Sequence, residues 1–185
     1  MTAVPAEREY EQSELEQVHG VSFIRLRELK ESACLEMLQY WKAKRGDRSM
    51  PSPDDLRPSE FARLMPHLIL LQVDHDPFDL TYRLFGEDVA ISFGVNSKGL
   101  RVLDAYPDRQ NLCQELFRFY SYIAEQRRPY AAAGTLIGAG GKTIRTEGVY
   151  MPLSYEGERT DRILGCSVKD RRVRDSFLND DPFSF

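Results

Sequence analysis

Two short apolar runs stand back to back around one proline, and that spacing constrains the fold more than any other stretch. Leu68–Val73 reads Leu-Ile-Leu-Leu-Gln-Val, a turn follows at Asp76–Pro77, and Asp79–Gly86 reads Asp-Leu-Thr-Tyr-Arg-Leu-Phe-Gly. The first run is bounded by Pro66 and by an Asp/His/Pro cluster, which predicts a buried strand. In the second, Leu80, Tyr82 and Leu84 alternate with Thr81, Arg83 and Phe85, the two-residue period of a strand. The tight connection predicts an antiparallel hairpin with Pro77 in its turn. Val89–Phe93, set between Gly86 and Gly94, predicts a helix of one or two turns.

The flanking sequence supplies helices first and strands afterwards. Leu29, Ala33, Met37 and Trp41 recur at intervals of four, with Cys34 and Leu38 widening the stripe, so a helix is expected from about Leu29 to Arg45. Lys42, Lys44 and Arg45 suit its C-terminus, and Gly46 stops it. Trp41 is read either as a packing anchor or as a contact in a homodimer. Asp47–Asp55 is a proline-containing loop. Pro58 opens a short helix with Phe61, Leu64 and Met65 on one face, and Pro66 ends it.

Beyond the hairpin, Asp108 is the expected N-cap of a longer helix. Leu112, Leu116, Phe119, Tyr120 and Ile123 form its stripe, and it ends near Arg127–Arg128. Three strands then follow. They are Tyr130–Ile137, a stretch from Lys142 through Tyr150 to Leu153, and Ile163–Val168. A turn at Gly138–Gly141 and a polar loop at Ser154–Asp161 separate them. This order predicts an α+β fold, an antiparallel sheet with helices segregated to one face. The expected division is an N-terminal extension, partly disordered, over 1–28, a domain over 29–168 and a C-terminal tail over 169–185.

Charge and motif content exclude several function classes. The net charge is -4 and the pI about 5.5, which gives no reason to expect nucleic acid or an anionic membrane as partner. No stretch approaches the roughly 18 apolar residues of a membrane span, and the first residues do not resemble a secretory signal. Cys34, Cys113 and Cys166 fit no disulfide framework or zinc knuckle, so buried reduced thiols in a cytoplasmic protein are expected. Gly140-Gly141-Lys142-Thr143 resembles a phosphate loop only superficially. Leu136 stands where a Gly is required, and a strand follows where a helix is needed.

No metal is expected. His67 precedes a strand, His75 is the single imidazole beside Asp74 and Asp76, and His19 lies far upstream. The longer helix holds no histidine for haem, and Cys113 is not in a light-sensor motif. No nucleophile–base pair or facing carboxylates can be placed, so no catalytic residue is assigned and the chain is not read as an enzyme. A gap beneath Val89–Phe93, lined from Leu84, Val89, Phe93, Leu116 and Tyr130–Ile137, would be apolar and would suit a small apolar or amphipathic ligand.

Tyr40-Trp41 with Arg45-Gly46, Pro51, the Asp55–Pro58 region and Met65-Pro66 leading into Leu70–Val73 together form a recognisable series. It continues through Tyr82-Arg83-Leu84-Phe85-Gly86, Gly99, Met151-Pro152-Leu153-Ser154 and Gly157. Taken over Leu29–Val168, the chain resembles the PAS-like proteins of alphaproteobacteria, usually short stand-alone chains. The resemblance implies a five-stranded antiparallel sheet with flanking helices and a first long helix outside the core. It also implies regulation or signalling by protein–protein contact, with a small-molecule sensor as the alternative. The family usually carries a small hydroxyl residue where this chain has Glu87. The resemblance carries over no catalytic or cofactor residue.

Overall fold

A computed structural model describes residues 20–138 and 143–169. In chain order its main elements are β1 (Val21–Ile24), α1 (Ser32–Arg45), β2 (Leu68–His75), β3 (Phe78–Phe85), α2 (Glu87–Phe93), α3 (Gln110–Gln126), β4 (Tyr130–Ile137), β5 (Thr143–Leu153) and β6 (Arg162–Lys169). The hairpin forms where the spacing placed it: β2 pairs antiparallel with β3, and Asp76–Pro77, joined by a cis bond, makes the turn. The chain is a mixed α+β fold built on one antiparallel sheet, in the order β1-β4-β5-β6-β2-β3.

That sheet has six strands, not the expected five. The extra strand is β1, four residues that pair with Ala131–Gly134 of β4. It arises from the stretch read as an N-terminal extension. Val-Ser-Phe-Ile is too short for alternation to declare itself, and only the apolar, small-residue edge of β4 gives it a partner.

The alternation in β3 also breaks. Leu70 pairs with Leu84, but Leu71 pairs with Tyr82, so Arg83 is the extra residue of a β-bulge. Beyond a bulge the period slips by one. Phe85 therefore joins Leu80 and Tyr82 on one face, while Leu84 turns to the other.

Helices cover both faces of the sheet, contrary to the single face expected. On one face, α2, α3 and a tight turn at Val102–Asp104 bury Ile69, Leu71, Leu80 and Tyr82. All five stripe residues of α3 are buried, as its spacing predicted. On the other face, Cys34, Met37, Leu38 and Trp41 of α1 pack against Val149, Met151, Leu164 and Cys166. Burying such side chains contributes roughly 1.5–3 kcal/mol each, which suffices to hold a helix of this length that would be marginal alone. β5 and β6 lie between two apolar layers, so alternation along them is weak.

Local details differ from expectation at three helix ends. α1 begins at Ser32, since Leu26–Glu28 forms its own short turn. Arg109 rather than Asp108 precedes α3, without a side-chain cap. The Pro58 segment forms two tight 3-10 turns, Pro58–Glu60 and Ala62–His67, and Pro66 sits inside the second instead of ending it. Proline lacks the backbone N–H that a continuing helix uses and its ring crowds the preceding turn, so the segment stays short and irregular instead of building an α-helix.

Candidate functional site

The second half of the hairpin feeds directly into the roof of a cavity. Gly86 leaves β3 with its backbone N–H donating to Leu68 O at 2.7 Å. A Cβ at Gly86 would stand 2.3 Å from Pro66 O, so only glycine permits this close approach. α2 starts there, and Gly94 closes it in the left-handed region at φ 75°. Glu87 and Asp88 occupy the first turn, where the helix dipole favours negative charge. Asp88 Oδ2 of α2 lies 3.0 Å from His67 Nδ1 at the end of the preceding turn.

Beneath α2 a cavity of about 40 Å³ remains. Val89 and Phe93 form its roof, Leu116, Phe119 and Tyr120 of α3 one wall, and Ala132 and Leu136 of β4 another. Most of the residues named from the sequence are therefore brought together. Leu84 is not, because the bulge at Arg83 turns it to the opposite face and Phe85 takes its place. Glu87 is exposed and does not line the cavity.

Sequence reasoning missed the floor of the cavity, which includes Thr146, Tyr150 and Ser167. Thr146 Oγ1 and Ser167 Oγ lie 3.1 Å apart, and Thr146 Oγ1 also donates to Val168 O at 3.1 Å. These hydroxyls give an otherwise apolar chamber one polar patch. The available signal is the alternation of Ile144, Thr146 and Gly148 with Thr143, Arg145 and Glu147 along β5, and the Thr and Gly leave that face only weakly apolar.

The tyrosines around this chamber are neutral. Burial pushes the phenols of Tyr82 and Tyr120 well above their ordinary value, and burial likewise raises Tyr106 and Tyr150. Their rings also pack on one another and on phenylalanines. Phe119 and Tyr150 meet edge to face at 4.9 Å, and Tyr82 and Phe85 at 5.0 Å. A neutral phenol in such surroundings can orient a ligand but does not supply a base at neutral pH.

At the outer end of the roof, Arg109 joins three pieces of the fold. Its Nη2 donates to Phe93 O at 2.8 Å and its Nη1 to Ile137 O at 3.4 Å, with the guanidinium 5.0 Å from the Tyr106 ring centre. The side chain thereby links α2, α3 and β4 at the cavity's margin.

The other chemically interesting residues have structural surroundings. Cys34, Cys113 and Cys166 are free and buried. Cys34 Sγ donates to Cys166 O at 3.5 Å and to Glu147 O at 3.7 Å. Hydrogen bonding with the Cys166 side chain, and then burial, push its thiol far up. Cys113 Sγ donates to Tyr106 O at 3.4 Å and does not line the cavity. His75 Nε2 lies 3.8 Å from Asp161. Among the described residues, no three His, Cys, Asp or Glu side chains group to hold a metal. The turn read at Gly138–Gly141 falls mostly outside the described residues, while Thr143 opens β5. His19 also lies outside them.

Residues 29–168 match a family model described as PAS domain. The matched span includes the hairpin, the cavity roof and α1, and begins after β1. No curated protein matches the chain.

Proposed function

We propose that this chain, which belongs to the PAS domain family, is a cytoplasmic regulatory or signalling module that acts by binding another protein rather than by catalysis. One observation carries the reading. The interior is filled by its own side chains, leaving about 40 Å³ beneath α2. A single water needs about 10–15 Å³ by this measure, and pockets for drug-sized ligands run to about 300–1,000 Å³. The cavity in this state has room for a few waters and none for a large cofactor.

The proposed partner is a protein, a second copy of the chain first among them. Trp41 gives this dimer no support, because it is buried within its own chain. Leu35, on the outer side of α1, is exposed and available to a partner. Among the described residues, no helix is long and apolar enough to cross a membrane. The division into an extension over 1–28, a domain over 29–168 and a tail over 169–185 is part of the same proposal. Sedimentation velocity over a wide concentration range, with affinity capture from lysate, tests the reading. A monomer at every concentration that captures no partner would refute it.

A second reading is supported by the hydroxyl floor. Thr146 and Ser167 place hydrogen-bonding groups at one side of an apolar chamber, which suits a small, uncharged, amphipathic ligand. Native mass spectrometry of freshly purified protein and thermal shifts with a metabolite panel test it. The bare chain mass with no shift from any compound would remove this alternative and leave the first reading in place.

A further inference from the structure

Several surface arginines are answered by carboxylates: Arg48 by Asp55, Arg63 by Glu36, Arg101 by Asp79, and Arg159 by Asp161. Arg83 and Arg162 are not. Arg83 Nε donates to Gln72 Oε1 at 2.8 Å, and Arg162 Nη1 donates to the same oxygen at 3.2 Å. Two cations thus share one neutral acceptor, and among the described residues neither has an ion pair.

The arrangement is positioned by the sheet. Gln72 lies on β2, flanked in register by Thr81 of β3 and Arg162 of β6. Arg83 is the bulged residue of β3, and a bulge re-aims a side chain that regular pairing would place elsewhere. Gln72 Nε2 in turn donates to Asp74 Oδ1, which fixes the amide with its oxygen toward the arginines. Asp74 contacts the Gln72 amide, and the neighbouring carboxylates Asp79 and Asp161 are engaged by Arg101 and by His75 and Arg159.

We propose that Arg83 and Arg162, spread around Gln72, form a binding site for a phosphate group. Each guanidinium carries five N–H donors in a planar fork. Arg83 engages Gln72 through Nε alone, so both terminal nitrogens remain for a bidentate contact. Arg162 keeps its Nη2 and Nε donors. Two guanidinium charges match the roughly -1.5 to -2 of a phosphate monoester near neutral pH better than the single charge of a carboxylate. Arg83 is exposed and Arg162 half-buried, so the site is open to solvent on one side and backed by the sheet on the other. It is independent of the cavity beneath α2, since none of its residues lines that cavity.

Calorimetric titration of the full chain with inorganic phosphate, and separately with glycerol phosphate, at constant ionic strength tests the site. Saturable binding of either probe is expected, and the probe preferred identifies a free ion or a phosphate ester as the source. Arg83→Gln and Arg162→Gln should each weaken binding by about tenfold or more. Arg83→Lys should also weaken it, because a point charge replaces the fork. Gln72→Glu places a carboxylate between the two guanidiniums and should abolish binding. Arg63→Gln, at an exposed pair elsewhere, should leave it unchanged, and urea unfolding of each variant separates lost binding from lost folding. The proposal is overturned if neither probe binds saturably, if acetate binds as well as phosphate, or if folded Arg83→Gln and Gln72→Glu bind as wild type does.

Discussion

Removing Trp41 tests most directly how the outer helix is attached. The indole is 1% exposed, and its Nε1 donates to Pro152 O at 2.8 Å. Its ring lies between the α1 stripe and β5, with the Arg45 guanidinium 5.6 Å from the ring centre. Trp41→Ala creates a large cavity, which costs about 3–5 kcal/mol. Trp41→Phe keeps most of the ring but leaves the Pro152 carbonyl without its donor, at a cost of about 1–3 kcal/mol. The order of stability should therefore be wild type, then Phe, then Ala. For a domain of this size the alanine loss corresponds to a fall in Tm of about 6–20 °C. Equilibrium urea unfolding reads the stability, and sedimentation velocity on the same samples reads the mass. An unchanged urea midpoint for Trp41→Ala would refute the packing argument. A change in mass without a change in stability would move the residue's work to a contact between chains.

Three further outcomes are expected. Glu147 is buried on β5, and its Oε1 accepts from the Lys30 and Glu31 amides at 2.8 and 2.7 Å. Glu147→Ala should lose about 1–3 kcal/mol in urea unfolding by orphaning these donors at the entry to α1, whereas Glu147→Gln, which keeps an acceptor oxygen, should lose less. Burial works to raise the Asp55 carboxyl, but the Ser52 amide and the Arg48 guanidinium outweigh it and hold the group below its usual range. Its contribution is then present above about pH 4 and lost as pH falls through the depressed folded value, so Asp55→Asn should be less stable than wild type at neutral pH and converge with it in acid. Burial raises Tyr82 and Tyr120 above the ordinary phenol value near pH 10. The stability they confer is complete below that pH and fades as pH rises toward the folded values, so an absorbance titration should show fewer phenols ionising in native protein than in urea at about pH 11.

The parts of the fold that were legible are those with a single period. The stripe Leu112, Leu116, Phe119, Tyr120 and Ile123 named one buried face of α3, because a helix packed on one side repeats cleanly. The hairpin was equally clear, preceded by Pro66, turned at Pro77 and closed by Gly86. The bulge was not. Nothing in Tyr-Arg-Leu-Phe announces that Arg83 is unpaired, yet this one residue decides that Phe85 and not Leu84 enters the cavity. The second covered face was hidden for a related reason. Residues of β5 and β6 are buried on both sides, so apolar and small residues occur in succession and the two-residue contrast disappears.

The same loss of contrast shows how the two faces are joined. Thr146 contributes its hydroxyl to the cavity, and the next residue, Glu147, holds the entry to α1 on the opposite face. Ser167 faces the cavity beside Thr146, and the preceding residue, Cys166, offers its carbonyl to Cys34 of α1. Successive side chains of a strand point to opposite faces, so each of these pairs spans the sheet through a single peptide unit. The register sets Glu147 against Val168 and Gly148 against Ser167, which keeps the two crossings side by side. A strand packed on both faces does not shift toward one without disturbing the other, because interiors are close-packed. Whatever enlarges the space beside Thr146 and Ser167 must therefore act on the contacts that Glu147 and Cys166 make with α1 and its entry.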